Sequence, residues 1–308
     1  MTLRYLRIFK EVCEQQSVTK AAKKLFISQP SVSVVISDME KKYNVKLFTR
    51  IHNRLVITEE GRELYAKACN VLNNFDDFEA LAFENGNANC VKIGTSLTIG
   101  TFFLPALAKK IQRAYPQAQL KIKIFPKDKI ENLLLRGELD FALVENASQS
   151  AELINKKFFE DKLVAVCAPD FSAPVQLNLQ QLKALPLIFR EKGSATRDFF
   201  DNFAKQCGID LFPFIETANP QAAVNCAKAG LGVTVLPMSM VQENITNGSL
   251  RTIDLIDVNL KRFYYFAVHR QKVFAPLQKN VFDLCEQYFR FKSPACSNSD
   301  RKKDYAGF

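Results

Sequence analysis

Residues Ser17 to Ser33 read SVTKAAKKLFISQPSVS. Ser17 and Thr19 offer N-cap oxygens ahead of Ala21, Ala22 and Leu25, which together specify a short helix. A tight connection through Phe26 and Ile27 leads to Ser28, another N-cap candidate, and Gln29-Pro30-Ser31-Val32-Ser33 opens a second helix. Its apolar face is Val32, Val35 or Ile36, and Met39. Pro30 costs little in a first turn, where its missing N–H has no helical partner. Helix, short turn and helix, with small polar residues opening the second member, is the helix-turn-helix arrangement. Gln29, Ser31 and Ser33 there can reach base edges, while neighbouring Lys and Arg neutralise phosphates. Capping alone accounts for Ser28 and Thr19.

Working outward, Leu3, Leu6, Phe9 and Val12 share one helical face and predict an amphipathic first helix. After Asn44, suited to a left-handed turn, residues 45–58 alternate like a two-stranded wing with Arg50, His52, Asn53 and Arg54 near its tip. Residues 1–58 hold eleven Lys and Arg against four Asp and Glu, whereas 59–90 hold two against seven. A basic head followed by an acidic helical stretch points to a polyanion partner.

The whole chain has 308 residues, 47% hydrophobic and 24% charged, with a net charge of +10. This is a globular composition of about two or three domains. The apolar stretch 97–108 is interrupted by Gly100 and Pro105 and is too short to span a bilayer, and the amino terminus offers no signal-peptide pattern. A soluble cytoplasmic chain is expected. Eight cysteines are scattered without a CxxC, and the two histidines, His52 and His269, lie far apart. That excludes a zinc-ligand pattern and favours reduced thiols, so no metal and no cofactor is expected. Cys207 has no resolving thiol near it in sequence. The absence of GxSxG, GxGxxG and P-loop patterns speaks against catalysis.

From Glu60 to Glu84 only Gly61 interrupts a helical pattern. Leu64, Ala68, Val71, Phe75, Phe78 and Ala82 step by alternating fours and threes, with Leu72 and Leu81 widening the seam. Such a seam packs along its own domain or pairs with another chain. The polar run 84–89 then reads as a hinge.

Beyond residue 90 apolar runs alternate with amphipathic helices, an α/β signal. Strands are expected at 91–95, 120–125, 139–145, 163–167, 187–190, 212–216, 232–236 and 263–269. Helices are expected from Thr98 to Tyr115, from a capping box at Asp128 and Glu131 to Arg136, over 196–207, over 220–229 and over 273–291. Two similar α/β lobes joined by crossing strands imply a ligand cleft between them. Thr95, Ser96 and Thr98 precede one helix, Ser194, Thr196 and Arg197 another, and Thr217 and Asn219 a third opened by Pro220. Hydroxyl-bearing loops at helix starts favour a small anion or carboxylate. N-capping explains any one of them alone, and Arg197 also suits an ion pair.

The stretches SVTKAAKKL (17–25), SQPSVS (28–33), LFTR (47–50) and ITEEG (57–61), with Ile36 and Met39-Glu40, resemble the LysR-type transcriptional regulators. Asn44 stands where the family usually has glycine, and His52-Asn53 where it has a glycine–arginine tip, while Arg54 keeps the wing arginine. GTSLTIG (94–100), REKGSATR (190–197) and AKAGLGVTVLP (227–237) look most like the branch regulating sulphur assimilation and carbon fixation. The resemblance implies a winged helix-turn-helix at 1–58 and a linker and dimerisation helix with hinge at 59–89. It further implies a two-lobed, periplasmic-binding-protein-like effector domain at 90–292 (lobe I 90–161 plus 267–292, lobe II 162–266). The polar tail 293–308 lies outside it and reads as disordered. By resemblance Gln29, Pro30, Ser31, Ser33, Arg50 and Arg54 contact operator DNA, the chain forms homodimers and homotetramers, and it is not an enzyme. A solute-binding or enzymatic α/β protein with an incidental basic module is the alternative.

Overall fold

The computed structural model describes residues 1–52, 54–82, 89–256 and 258–290. The expectations for Asn53, for residues 84–88 of the hinge, for the side chains of Leu81 and Ala82, and for Cys296 and the tail lie outside the described residues.

The head comprises α1 (Leu3–Gln15), α2 (Val18–Lys24), α3 (Gln29–Tyr43) and a ribbon of β1 (Phe48–Ile51) and β2 (Arg54–Ile57). Ser17 caps α2 by accepting from Lys20 N, and Ser28 caps α3 by accepting from Ser31 N. Asn44 closes α3 at φ 51°, in the left-handed region that asparagine tolerates. Phe9, Val12, Ala21 and Val32 meet in one core with no exposed surface.

The linker is α4 (Glu59–Ala82), 24 residues and so about 36 Å long. Its seam divides in two. Tyr65, Ala68, Cys69 and Leu72 are buried in the core of the head, which takes up one side of the helix. Val71 and Phe78 remain 48% and 64% exposed.

The remainder follows the order β3 (Cys90–Thr95), α5 (Leu97–Phe102), α6 (Leu104–Ala114), β4 (Gln119–Ile124), α7 (Lys127–Leu135), β5 (Phe141–Glu145) and β6 (Leu153–Cys167). Then come β7 (Gln176–Leu177), α8 (Leu179–Lys183), β8 (Leu187–Arg190), α9 (Ala195–Gln206), β9 (Ile215–Thr217) and α10 (Pro220–Lys228). The last elements are β10 (Val233–Pro237), α11 (Met238–Thr246), β11 (Arg251–Leu255), β12 (Lys261–His269) and α12 (Pro276–Arg290). Strands pair in the order β4-β3-β5-β12-β6-β10-β8-β9, with β11 joining β6 to β7. Strands β4, β3 and β5 are parallel, as are β10, β8 and β9. Antiparallel β6 and β12 tie the two groups together. Residues 153–162 of β6 pair with β12, and residues 163–167 pair with β10 and β11.

Three local readings change. The helix expected from Thr98 to Tyr115 is two, broken at Phe103, because Pro105 has no N–H for the carbonyl four residues back. The box expected at Asp128 and Glu131 does not form: α7 starts one residue earlier, after Pro126, without a side-chain cap. Strand β6 starts ten residues before Leu163, since Lys156, Lys157, Glu160, Asp161 and Lys162 hide its pattern. These charges are accommodated individually: Lys156 pairs with Glu286 at 2.6 Å, and the Lys157 ammonium lies over the Phe263 ring.

The linker docks on the C-terminal end of α7. Asn70 Nδ2 donates to Leu135 O at 2.7 Å and Asn73 Nδ2 to Arg136 O at 2.6 Å, satisfying carbonyls that the helix leaves open. Nearby, Lys67 pairs with Glu152 at 2.6 Å, and that hydrogen bond holds the Glu152 carboxyl below the usual range. Gly137 ends α7 at φ +65°, and a Cβ there would sit 2.8 Å from Asn70 Oδ1. Gly137→Ala is expected to cost about 1–2 kcal/mol from the left-handed backbone alone, with further loss from crowding Asn70. Urea unfolding of the full chain measures it as a lowered midpoint at unchanged slope.

Candidate functional site

Helix α3 turns Val32, Val35, Ile36 and Met39 into the core and leaves Gln29, Pro30 and Ser31 exposed at its start. Gln29 Nε2 donates to Ser33 Oγ at 3.0 Å, and Ser28 Oγ lies 2.7 Å from Ser31 Oγ. The polar side chains at this end therefore satisfy one another. Arg50 and Arg54 are both exposed, but the ribbon register separates them. Arg50 is opposite Leu55 and Arg54 opposite Ile51, so the alternation of the pleat sends them to opposite faces.

The basic residues of the head fall into two sets. Arg7, Lys10, Lys24 and Lys46 are paired with Asp76, Glu14, Glu11 and Glu40. Arg4, Lys20, Lys23, Lys41, Lys42, Arg50 and Arg54 have no ion pair among the described residues, and Lys42 lies over the Tyr43 ring.

A second site lies between the lobes. A cleft of about 20 Å³ is lined by Ser96, Leu97, Thr98, Pro126, Lys127 and Glu145 from one lobe. Arg190, Glu191, Gly193, Ser194 and Ala195 line it from the other. That volume holds about one water. Phe102, at the end of α5, packs against cores of both lobes. Ser96 and Ser194 are the N-cap residues of α5 and α9, and neither side chain makes a capping bond. Ser96 Oγ is buried with no hydrogen-bond partner among the described residues. Thr98 is buried at 3% exposure, whereas Thr95 is not in the lining: it is fully buried and its Oγ1 donates to Ser96 O at 3.2 Å. Arg190 is gripped by Glu191 through two bonds at 2.9 and 3.0 Å.

The other sequence candidates stand apart from this lining. Arg197 donates to Asp201 at 2.6 Å and to Arg190 O, and its guanidinium covers Phe189. Asn219 caps α10 by accepting from Gln221 N and Ala222 N, and Thr217 Oγ1 accepts from Asn219 N. Thr196 is buried behind the cleft, where its Oγ1 accepts from Arg262 Nη1 at 2.9 Å.

That last bond leads to residues that the sequence pattern does not single out. Arg262 Nη2 donates to Tyr264 Oη at 2.8 Å, Tyr264 Oη donates to Asp161 Oδ2 at 3.0 Å, and Ser239 Oγ donates to the same oxygen. Glu145, facing the cleft, is 3.8 Å from Arg262. Burial acts to lower the Arg262 pKa, but Tyr264, Glu145 and Asp161 more than offset it and the net direction is upward. Burial pushes the Tyr264 phenol up, so it stays a donor. A charged residue ending an otherwise apolar strand, as in FALVE (141–145), is the available signal.

Residues 3–62 match the bacterial regulatory helix-turn-helix protein, lysR family, and residues 84–290 match the LysR substrate binding domain. The chain belongs to the LysR family. This LysR-family chain is 31% identical to the uncharacterized HTH-type transcriptional regulator YeiE of Escherichia coli, across 93% of its own length and 97% of that protein. It is 26% identical to the HTH-type transcriptional regulator CysL of Bacillus subtilis, across 90% and 92%, and RuBisCO operon regulators are further relatives. A full-length OxyR variant from Pseudomonas aeruginosa shares the fold with a TM-score of 0.68 at 23% identity, covering 94% of this chain and 98% of that one. The LysR-family chain is thus a DNA-binding transcriptional regulator with a substrate-binding domain, and not an enzyme. Among the described residues no helix is long and apolar enough to cross a membrane.

Arg262→Met should test the buried network. Removing the cation leaves Glu145 and Asp161 buried without it, which is expected to cost about 3–5 kcal/mol. Adding Glu145→Gln should recover part of that loss, read as a coupling in a double-mutant cycle of unfolding free energies.

Proposed function

We propose that the regulator works in the cytoplasm as a homodimer, assembling further to a tetramer, and reads operator DNA through α3 and the wing. Gln29, Pro30, Ser31 and Ser33 supply base and groove contacts, and Arg50 and Arg54 supply wing contacts from the two faces of the ribbon. The observation that carries this reading is the exposed polar start of α3 in a head whose remaining cations have no ion pair among the described residues. Gln29→Ala is expected to reduce discrimination between operator and random duplex by about 1–3 kcal/mol. Lys20→Ala or Lys23→Ala should weaken binding to all DNA alike and lower the salt slope by about one for each phosphate no longer neutralised. Equal effects of both kinds of change on operator and random DNA would refute the assignment of α3.

The effector domain is divided, in this reading, into lobe I, residues 90–161 with a return segment from 267, and lobe II, residues 162–266. A small anionic effector enters when the lobes open and is held by Ser96, Thr98 and Ser194, with Thr196 behind them. The unpartnered Ser96 Oγ and the uncapped starts of α5 and α9 support it. Arg190 and Lys127 line the cleft together with Glu145 and Glu191. Both cations are already paired, with Glu191 and Glu131, so the support for an anion comes from the hydroxyls and the open helix starts. Ser96→Ala with Thr98→Val should weaken the effector about tenfold or more without changing DNA affinity in its absence. Calorimetric titration with sulphate, phosphate and sulphur-containing or phosphorylated metabolites tests it, and a cationic or apolar effector would overturn it.

Pairing of two copies rests on the side of α4 that the head leaves open. Val71, Phe75 and Phe78 lie there, the first and last well exposed. Phe75→Glu with Phe78→Glu is expected to abolish the dimer in sedimentation.

A further inference from the structure

Helix α3 carries an apolar side chain that its own core does not use. Val34 is 56% exposed, while Val32, Val35, Ile36 and Met39 are at most 8% exposed. At about 100° per residue, Pro30, Val34 and Lys41 fall opposite the centre of that buried stripe. Val34 therefore stands one turn beyond Pro30, in the middle of the outward face. Ser33 beside it already accepts from Gln29, and the cations Lys20, Lys23 and Lys41 have no ion pair among the described residues. A helix whose outward face is centred on a branched hydrocarbon, with Lys41 further along it and Asp38 one turn away, suits the major groove at one kind of base pair. The thymine C5-methyl is the apolar group exposed there.

We infer that Val34 is a specificity-determining residue that packs on a thymine methyl in each operator half-site. This rests on the reading of α3 as the recognition helix and adds a position to it. Gln29 and Ser33 offer donors and acceptors to base edges. Val34 offers neither, so it rewards a methyl and leaves a cytosine amine or adenine amine without a partner. The contact distinguishes thymine from uracil, which keeps the hydrogen-bonding edge and lacks the methyl.

The test uses the full chain and duplex DNA that it selects from a random-sequence pool. Each thymine of the selected site is replaced in turn by uracil, and affinities are measured for the unmodified protein, Val34→Ala and Gln29→Ala. One thymine per half-site should lose about fourfold in affinity on replacement, the worth of one buried methyl group. Val34→Ala should show a similar loss on the thymine site and no further loss on the uracil site. Val34 is exposed and outside the core, so Val34→Ala leaves the fold intact, which the unfolding midpoint checks. If uracil replacement affects the unmodified protein and Val34→Ala equally at every position, Val34 is a solvated residue and the inference is wrong. In that case a Gln29→Ala protein with altered base preference would still uphold α3 as the recognition helix. If Gln29→Ala is also silent, or no site is selected, the recognition-helix reading fails and this inference fails with it.

Discussion

A guanidinium held at 2% exposure, that of Arg262, is the constraint around which the effector domain is arranged. A charge taken out of water to that degree is costly without partners. Here they come from different parts of the chain: Thr196 at the start of α9, Tyr264 on the same strand, and Glu145 at the end of β5. Tyr264 passes the connection to Asp161, and Asp161 accepts from Ser239 at the start of α11. Both lobes thus contribute to one polar network directly behind the cleft. Glu145 belongs to the network and to the cleft lining at once, so whatever enters the cleft meets a carboxylate already committed to Arg262.

The head is the most legible part of the chain because its determinants are local. Caps at Ser17 and Ser28, a left-handed Asn44 and a helix-period apolar stripe each act within a few residues. The parallel strands β5, β8 and β10 are legible for a related reason: buried along their whole length, they read as nearly unbroken apolar runs. Strand β6 is not, because its charged residues are satisfied by partners more than a hundred residues away, such as Glu286 for Lys156 and Tyr264 for Asp161. The short α8, α11 and β11 escape notice for want of a long period. At the cleft, hydroxyls at helix starts point to Ser96, Thr98 and Ser194. The same signal also selects Asn219, which caps its own helix, and Arg197, which is bound to Asp201. A hydroxyl or amide at a helix start looks alike in sequence whether it serves a ligand or its own backbone.

The division of cations in the head has the same logic. Eleven basic residues suggest one large positive surface, yet four of them are committed to internal carboxylates. Arg7 reaches Asp76 on the linker, so part of the basic surplus holds the head to α4. Two chemical tasks, attachment and polyanion contact, are drawn from one compositional feature. Ionic strength acts on both, because exposed pairs and phosphate contacts are screened alike.

The ribbon of β6 and β12 has a kinematic consequence. Its antiparallel register runs from Lys162 opposite Lys261 to Leu153 opposite His269, with an irregularity that leaves Phe158 as an extra residue. Along β12, Arg262, Tyr264, Phe266 and Val268 alternate with Tyr265 and Ala267, and the two sets enter different cores. A slip of one residue would exchange every side chain between those cores. Sliding is therefore forbidden to the lobes as a mode of motion. What remains is to bend or twist the ribbon, and the bulge at Phe158 is where its pairing is already interrupted.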